Sequence, residues 1–179
     1  MNKLVWIDCE MTGLDPFNDR LLEVAIVITN QELQVLAQSR SYVIGQPLEV
    51  LEKMDQWNTM QHSKSGLWAL ALDSDETVES VQSKLLGFLR ESGVAEKESP
   101  LCGNSVHQDR FFLRKWMPIL EGYMHYRNID VSTLKQVLPM WCPNLQVFQK
   151  REGEHRAIGD VLQSIAEIKY YQSYIKKLL

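Results

Sequence analysis

Positive charge is in short supply in this chain. Lys and Arg total 19 against 23 Asp and Glu, a net charge of −4, and basic residues run no longer than a pair such as Lys176-Lys177. Proteins that hold long nucleic acids usually neutralise many phosphates with a basic surface, so binding of a long duplex is not expected. Cysteine is scarce too. Cys9, Cys102 and Cys142 are odd in number, widely spaced and mostly in apolar surroundings, which points to buried thiols in a reducing compartment and away from a disulfide framework or a zinc site. No apolar run approaches the roughly 18 residues of a membrane span. A signal-type or Arg/Ser-rich transit segment is absent from the N-terminus, where a strand begins almost at once. A cytoplasmic protein with no membrane contact is the expectation. Repeats, low-complexity tracts and linkers are also missing, and 179 residues suffice for one domain, 1–179, with a sizeable core.

Strand signals come first along the chain and helix signals dominate later. Leu4–Glu10 and residues 21–29 are apolar and rich in β-branched residues, with a Gly13 and Asp15-Pro16 turn between them. With a third strand at 34–44 they should form an antiparallel meander. Residues 51–76 predict short helices and loops, and 77–90 a helix stopped by Gly93. Short strands are expected at 100–104 and 128–131. Helices are expected over 108–120, through Trp141 before Pro143, and from about residue 156. The pattern βββ-α-β-α-β-α is α/β, a mixed sheet flanked by helices.

Asp8 and Glu10 close the first strand two positions apart, so they point to one side of it. Two carboxylates aimed at one point repel unless a cation lies between them, and hard divalent metals take such oxygen ligands. Asp109 stands where a short strand gives way to a helix, and Asp160 lies in the first turns of the last helix. His155 lies on the polar loop just before it. Three elements thus deliver four carboxylates and a histidine, a pattern that suits metal-dependent phosphoryl transfer. A nucleic-acid substrate that presents few phosphates would be compatible with the acidic charge, since bound metal offsets part of the site.

Asp8-x-Glu10, Asp109 and His155-x4-Asp160 resemble the DEDDh 3′→5′ exonucleases, which have a ribonuclease H-like fold. Longer strings narrow the resemblance to the oligoribonucleases. These are residues 8–14 (DCEMTGL), 56–59 (QWNT), 62–67 (HSKSGL), 103–105 (GNS) with 108–110 (QDR), and 126–132 (YRNIDVS), in order over nearly the whole chain. The resemblance implies a ribonuclease H-like mixed β-sheet flanked by α-helices. It also implies two Mg²⁺ or Mn²⁺ ions held by Asp8, Glu10, Asp109 and Asp160, with His155 as general base on the attacking water. A metal pair about 3.5–4 Å apart stabilises both the attacking and the leaving oxygen, and an imidazole with a pKa near 6.5 suits a base at neutral pH.

On the same resemblance, the products would be nucleoside 5′-monophosphates released from the 3′ end of very short RNA oligonucleotides, chiefly dinucleotides. Leu14 would wedge between two bases and Trp57 would stack on one. His62, Ser105, Arg127 and Ser132 would cap the substrate's 5′-phosphate, and Tyr126 would come from the partner subunit of a homodimer. Cys9 stands where relatives commonly have Leu and should pack away from the acids. Gly159 replaces a residue that is often acidic. A general exonuclease for longer strands and a catalytically silent oligonucleotide binder are the competing readings.

Overall fold

The alternation of residues along Leu4–Met11 organises the molecule. This strand, β1, turns Val5, Ile7 and Cys9 to one face of the sheet and Trp6, Asp8 and Glu10 to the other. The computed structural model describes residues 3–150 and 156–178. Alongside β1 runs β2 (Leu21–Thr29), antiparallel and buried at all nine positions, with Asp8 opposite Ala25 and Glu10 opposite Glu23. Continuous burial on both faces suits its apolar run, which only Glu23 interrupts before Thr29. β5 (Leu101–Gly103) lies parallel to β1 on its other side, and β6 (Asn128–Asp130) lies parallel to β5. β3 (Val35–Gln38) and β4 (Tyr42–Val43) both pair with β2, so the six-stranded mixed sheet runs β3-β2-β1-β5-β6 with β4 beside β2.

Helices cover both faces. α4 (Val78–Glu91) and α5 (His107–Trp116) bury Val81, Leu85, Leu89, Phe112 and Leu113 against Val5, Ile7 and Cys9. On the opposite face α7 (Val131–Trp141) and α8 (Ala157–Leu178) bury Val131, Leu138, Val161, Ile165 and Tyr171 against Trp6 and Val27. Asp8 and Glu10 therefore point to the α8 side. Three short helices, α1 (Leu48–Leu51), α2 (Gln56–Lys64) and α3 (Leu67–Asp73), fill the region expected to be mixed. Among the described residues no helix is long and apolar enough to cross a membrane.

The structure departs from the sequence expectations in two places. The single strand expected over 34–44 is two strands. Ser39 Oγ accepts the Ile26 N–H at 2.9 Å, so a side chain takes the place of a ladder carbonyl and the pairing is interrupted. The helix expected over 108–120 is two helices: Pro118 disfavours the helical conformation at the residue before it, and Met117 is non-helical (φ −132°, ψ 57°). α6 (Pro118–Tyr123) restarts the chain there, and Gln82 Oε1 accepts from the Ile119 and Leu120 N–H groups.

Candidate active site

β1, β5 and β6 are parallel, so their carboxyl ends open on one edge of the sheet, where crevices form in such folds. Asp8 and Glu10 occupy the end of β1. Asp160 projects from the first turn of α8, and its carboxylate comes together with theirs. One oxygen from each of the three lies within 4.8 Å of the others, the one such group of acid, His or Cys ligands among the described residues. Asp109, on the first turn of α5, arrives from the opposite face and is not within that trio. Its Oδ1 accepts the Cys9 N–H at 2.8 Å, and it is 6% exposed. Cys9 packs away from Asp8 and Glu10 as expected, yet its thiol meets Asp109, and burial with the neighbouring carboxylates pushes that thiol up.

Electrostatics identify what the cluster is suited to hold. Burial, then the charges of Asp109, Glu10 and Asp160, hold the Asp8 carboxyl well above its ordinary range. Burial and Asp160 push Glu10 up to about 8. Burial raises Asp109 as well, against the lowering effect of the Cys9 N–H. Lys150 Nζ lies 3.8 Å from Asp160 Oδ1 and the Arg156 charge opposes the rise of Glu10, yet burial and the neighbouring carboxylates outweigh both. An all-carboxylate donor set of this charge fits a hard divalent cation.

A stability consequence follows from the sign of these shifts. Glu10 titrates near 4.5 when unfolded and near 8 when folded, so its favourable contribution is complete below the first value and is lost as pH rises through the second. In EDTA, the Tm is expected to fall by about 8–16 °C between pH 5 and 9, since about three pH units of that window count at about 1.4 kcal/mol each and each kcal/mol moves Tm by about 2–4 °C at this size. Mn²⁺ should restore most of the loss at the alkaline end. Calorimetry checks this, and a Tm that rises with pH in EDTA would contradict it.

The residues assigned to base contact lie beside the acids. Leu14 and Trp57 are exposed and share a cleft with Glu10, Met11, Gly13 and His62. The turn that presents Leu14 is tied together by hydrogen bonds. Asp19 accepts from Thr12 Oγ1–H and from the Asp15 N–H, and a Cβ on Gly13 would meet its Oδ2 at 2.4 Å and displace this carboxylate. His62 is buried on this side, where its Nε2 donates to the Met11 carbonyl at 2.9 Å.

The hydroxyl pair follows β5 and β6. Ser105 adopts a left-handed conformation (φ 50°), which turns its N–H onto Asp130 Oδ1 (2.9 Å) and Ser132 Oγ (2.8 Å). The Ser105 and Ser132 hydroxyl oxygens are 3.1 Å apart. Gly103 lets β5 approach β1, because a Cβ there would meet the Ile7 carbonyl at 2.9 Å. Tyr126 is 74% exposed and stacks on His125, and Arg127 lies over the Tyr126 ring. His155 and the rest of 151–155 lie outside the described residues.

A model of the RNase T family, described as exonuclease, matches residues 5–168. The oligoribonuclease of Neisseria meningitidis serogroup A is 47% identical over 173 residues, 97% of this chain and 92% of that one. The oligoribonuclease of Pseudomonas aeruginosa PAO1 is 45% identical over 175 residues, 98% of this chain and 97% of that one. The chain belongs to the oligoribonuclease family of exonucleases. Solved structures with the same fold include exonuclease I of Methylocaldum szegediense (TM-score 0.77, 15% identity) and E. coli exonuclease I with a 5cy-dT13 oligonucleotide (TM-score 0.75, 15% identity). Each match covers 99% of this chain, which spans 42% of each of those chains. The mixed sheet is thus the ribonuclease H-like one that the sequence led us to expect.

As a member of the oligoribonuclease family the chain is a nuclease, a phosphodiester hydrolase. Three supports of its site were not apparent from the sequence. Arg110, part of the QDR string, is buried and organises the Tyr126 segment. It donates to Glu121 and to the His125 and Tyr126 carbonyls at 2.7–2.9 Å. Glu23, fully buried opposite Glu10, receives two nitrogens of Arg156 (2.6–3.1 Å) and the Ala157 N–H (2.9 Å). It therefore caps and anchors the start of α8, which carries Asp160. Lys150 is the third. A lone Glu in a hydrophobic strand was the available signal for Glu23, since a charge at such a position needs a partner.

Proposed function

We propose that this oligoribonuclease-family chain degrades very short 5′-phosphorylated oligoribonucleotides, chiefly dinucleotides, from the 3′ end to nucleoside 5′-monophosphates. The observation that supports this best is the pairing, at one sheet edge, of the Asp8, Glu10 and Asp160 trio with the paired hydroxyls of Ser105 and Ser132. A carboxylate trio alone suits any phosphodiester hydrolase. Hydroxyls on neighbouring strand ends, which can turn to a phosphate when it arrives, suit a substrate that stops there.

In this reading Asp8, Glu10, Asp109 and Asp160 hold two divalent ions, Mg²⁺ or Mn²⁺. When bound, the ions would activate the attacking water and stabilise the leaving 3′-oxygen. His155 takes the water's proton, and Leu14 and Trp57 separate and stack the two bases. Ser105, Ser132, Arg127 and His62 receive the 5′-phosphate, and a guanidinium forks well onto phosphate oxygens. Tyr126 projects from the segment that Arg110 holds and serves the partner's site in a homodimer. Directed bonds to one terminal phosphate remove the need for a basic groove and explain the charge of −4. A reducing cytoplasm suits three cysteines that all remain free thiols.

Arg127→Ala tests the cap. Its kcat/KM for a 5′-phosphorylated dinucleotide should fall about 10–100-fold, the range for a charge-assisted hydrogen bond, with a smaller loss on a heptamer. Equal losses on both substrates would remove Arg127 from length selection.

A further inference from the structure

Glu167 is a fully buried carboxylate with no part in the site described so far. No cation pairs with it among the described residues. Its Oε2 accepts from Asn104 Nδ2 at 3.0 Å and its Oε1 accepts from the Tyr171 hydroxyl at 3.1 Å. Ser164, one turn earlier on α8, also accepts from Asn104 Nδ2, at 2.9 Å. Burying an acid without a counter-ion is costly unless its oxygens are hydrogen-bonded, so the bonds from Asn104 and Tyr171 hold Glu167 in place.

Asn104 lies between β5 and Ser105. A carboxylate only accepts, so the amide must turn its NH₂ group to Glu167 and its Oδ1 the other way. That Oδ1 accepts from the Ser132 hydroxyl at 3.2 Å, and Ser132 Oγ in turn accepts the Ser105 N–H. A chain of hydrogen bonds thus runs from the interior of α8 to the two hydroxyls at the sheet edge.

Asp160, Ser164 and Glu167 stand at i, i+4 and i+7 of one helix, hence on one face of it. That face contributes to the carboxylate trio at its first turn and grips Asn104 two turns later, a rise of about 10 Å. One rigid element therefore fixes both ends of the substrate site.

We infer that Glu167 is a positioning residue for length selection: through Asn104 it holds Ser132 and Ser105 at a set distance from the carboxylates. The inference rests on the proposed role of these serines toward the 5′-phosphate. It predicts that loosening Asn104 weakens recognition of that phosphate without disturbing the acids.

The experiment compares 5′-phosphorylated and 5′-hydroxyl dinucleotides on the full-length protein with Mn²⁺, together with calorimetric Mn²⁺ binding. For Glu167→Leu, kcat/KM on the phosphorylated dinucleotide should fall by at least about tenfold, chiefly through KM, the size of one lost directed bond. Turnover of the 5′-hydroxyl dinucleotide and Mn²⁺ affinity should stay within about twofold of the starting protein, as expected when the acids are untouched. Glu167→Gln, which can still accept from Asn104, should restore the preference. If Glu167→Leu does not fold, Asn104→Ala reads the same link from its other end. Equal losses on both dinucleotides, or an unchanged preference, would overturn the inference. A starting protein that does not distinguish the two dinucleotides would instead overturn the cap reading, and the inference with it.

Discussion

Asp8→Asn should abolish turnover, by at least about 10³-fold for loss of an interaction central to phosphoryl transfer, and yet raise the stability of the metal-free protein. The two effects have one cause. Asp8 is half-buried and faces the charges of Asp109, Glu10 and Asp160, so desolvation and repulsion both disfavour its carboxylate in the fold. Asn keeps the shape and removes the repulsion. At pH 8 in EDTA the variant should melt above the unsubstituted protein, while the Tm increase given by Mn²⁺ should shrink or vanish. A simple loss of fold would lower both. Calorimetry with and without Mn²⁺ distinguishes these outcomes, and a lower Tm in EDTA would contradict the electrostatic picture.

The second large effect concerns the anchor of α8. Glu23→Leu strips Arg156 of its carboxylate and leaves the Ala157 N–H without its acceptor. Breaking one side of a buried pair costs about 3–5 kcal/mol, or about 10 °C in Tm here. Activity should fall by about 10–100-fold, as when an outer support of a metal ligand is lost, because the same turn carries Asp160. Replacing both partners, Glu23→Leu with Arg156→Met, should recover most of the stability, since no buried charge is left unpaired. Single variants that melt like the starting protein would show that the pair does not anchor the helix.

The parts of the site that follow local periodicity could be read from the sequence. Asp8 and Glu10 needed only the two-residue period of a strand, and Asp160 needed only the start of a helix packed over the same face. Motif strings supplied the serines, Trp57 and Arg127. Other features depend on contacts between distant segments and left no periodic trace. Asp109 was named from the sequence, but its approach from the opposite face of the sheet, with the Cys9 N–H as its partner, was not. Glu23 meets Arg156 across 133 residues, and Glu167 meets Asn104 across 63. The strand break at Ser39 depends on one hydroxyl that takes a backbone donor, which no propensity scale records. The helix break was more accessible: Pro118 disfavours a helical residue before it, and the 108–120 expectation ran through that signal, although α7 tolerates Pro139.

The most direct test is single-turnover cleavage of 5′-phosphorylated RNAs of two, four, seven and twenty nucleotides with Mg²⁺, beside an Asp160→Asn control. Fast cleavage of the dinucleotide, a steep fall with length and an inactive control are the expected result. A flat length profile, with the 20-mer cleaved as fast as the dinucleotide, would contradict selection by a capped 5′-phosphate.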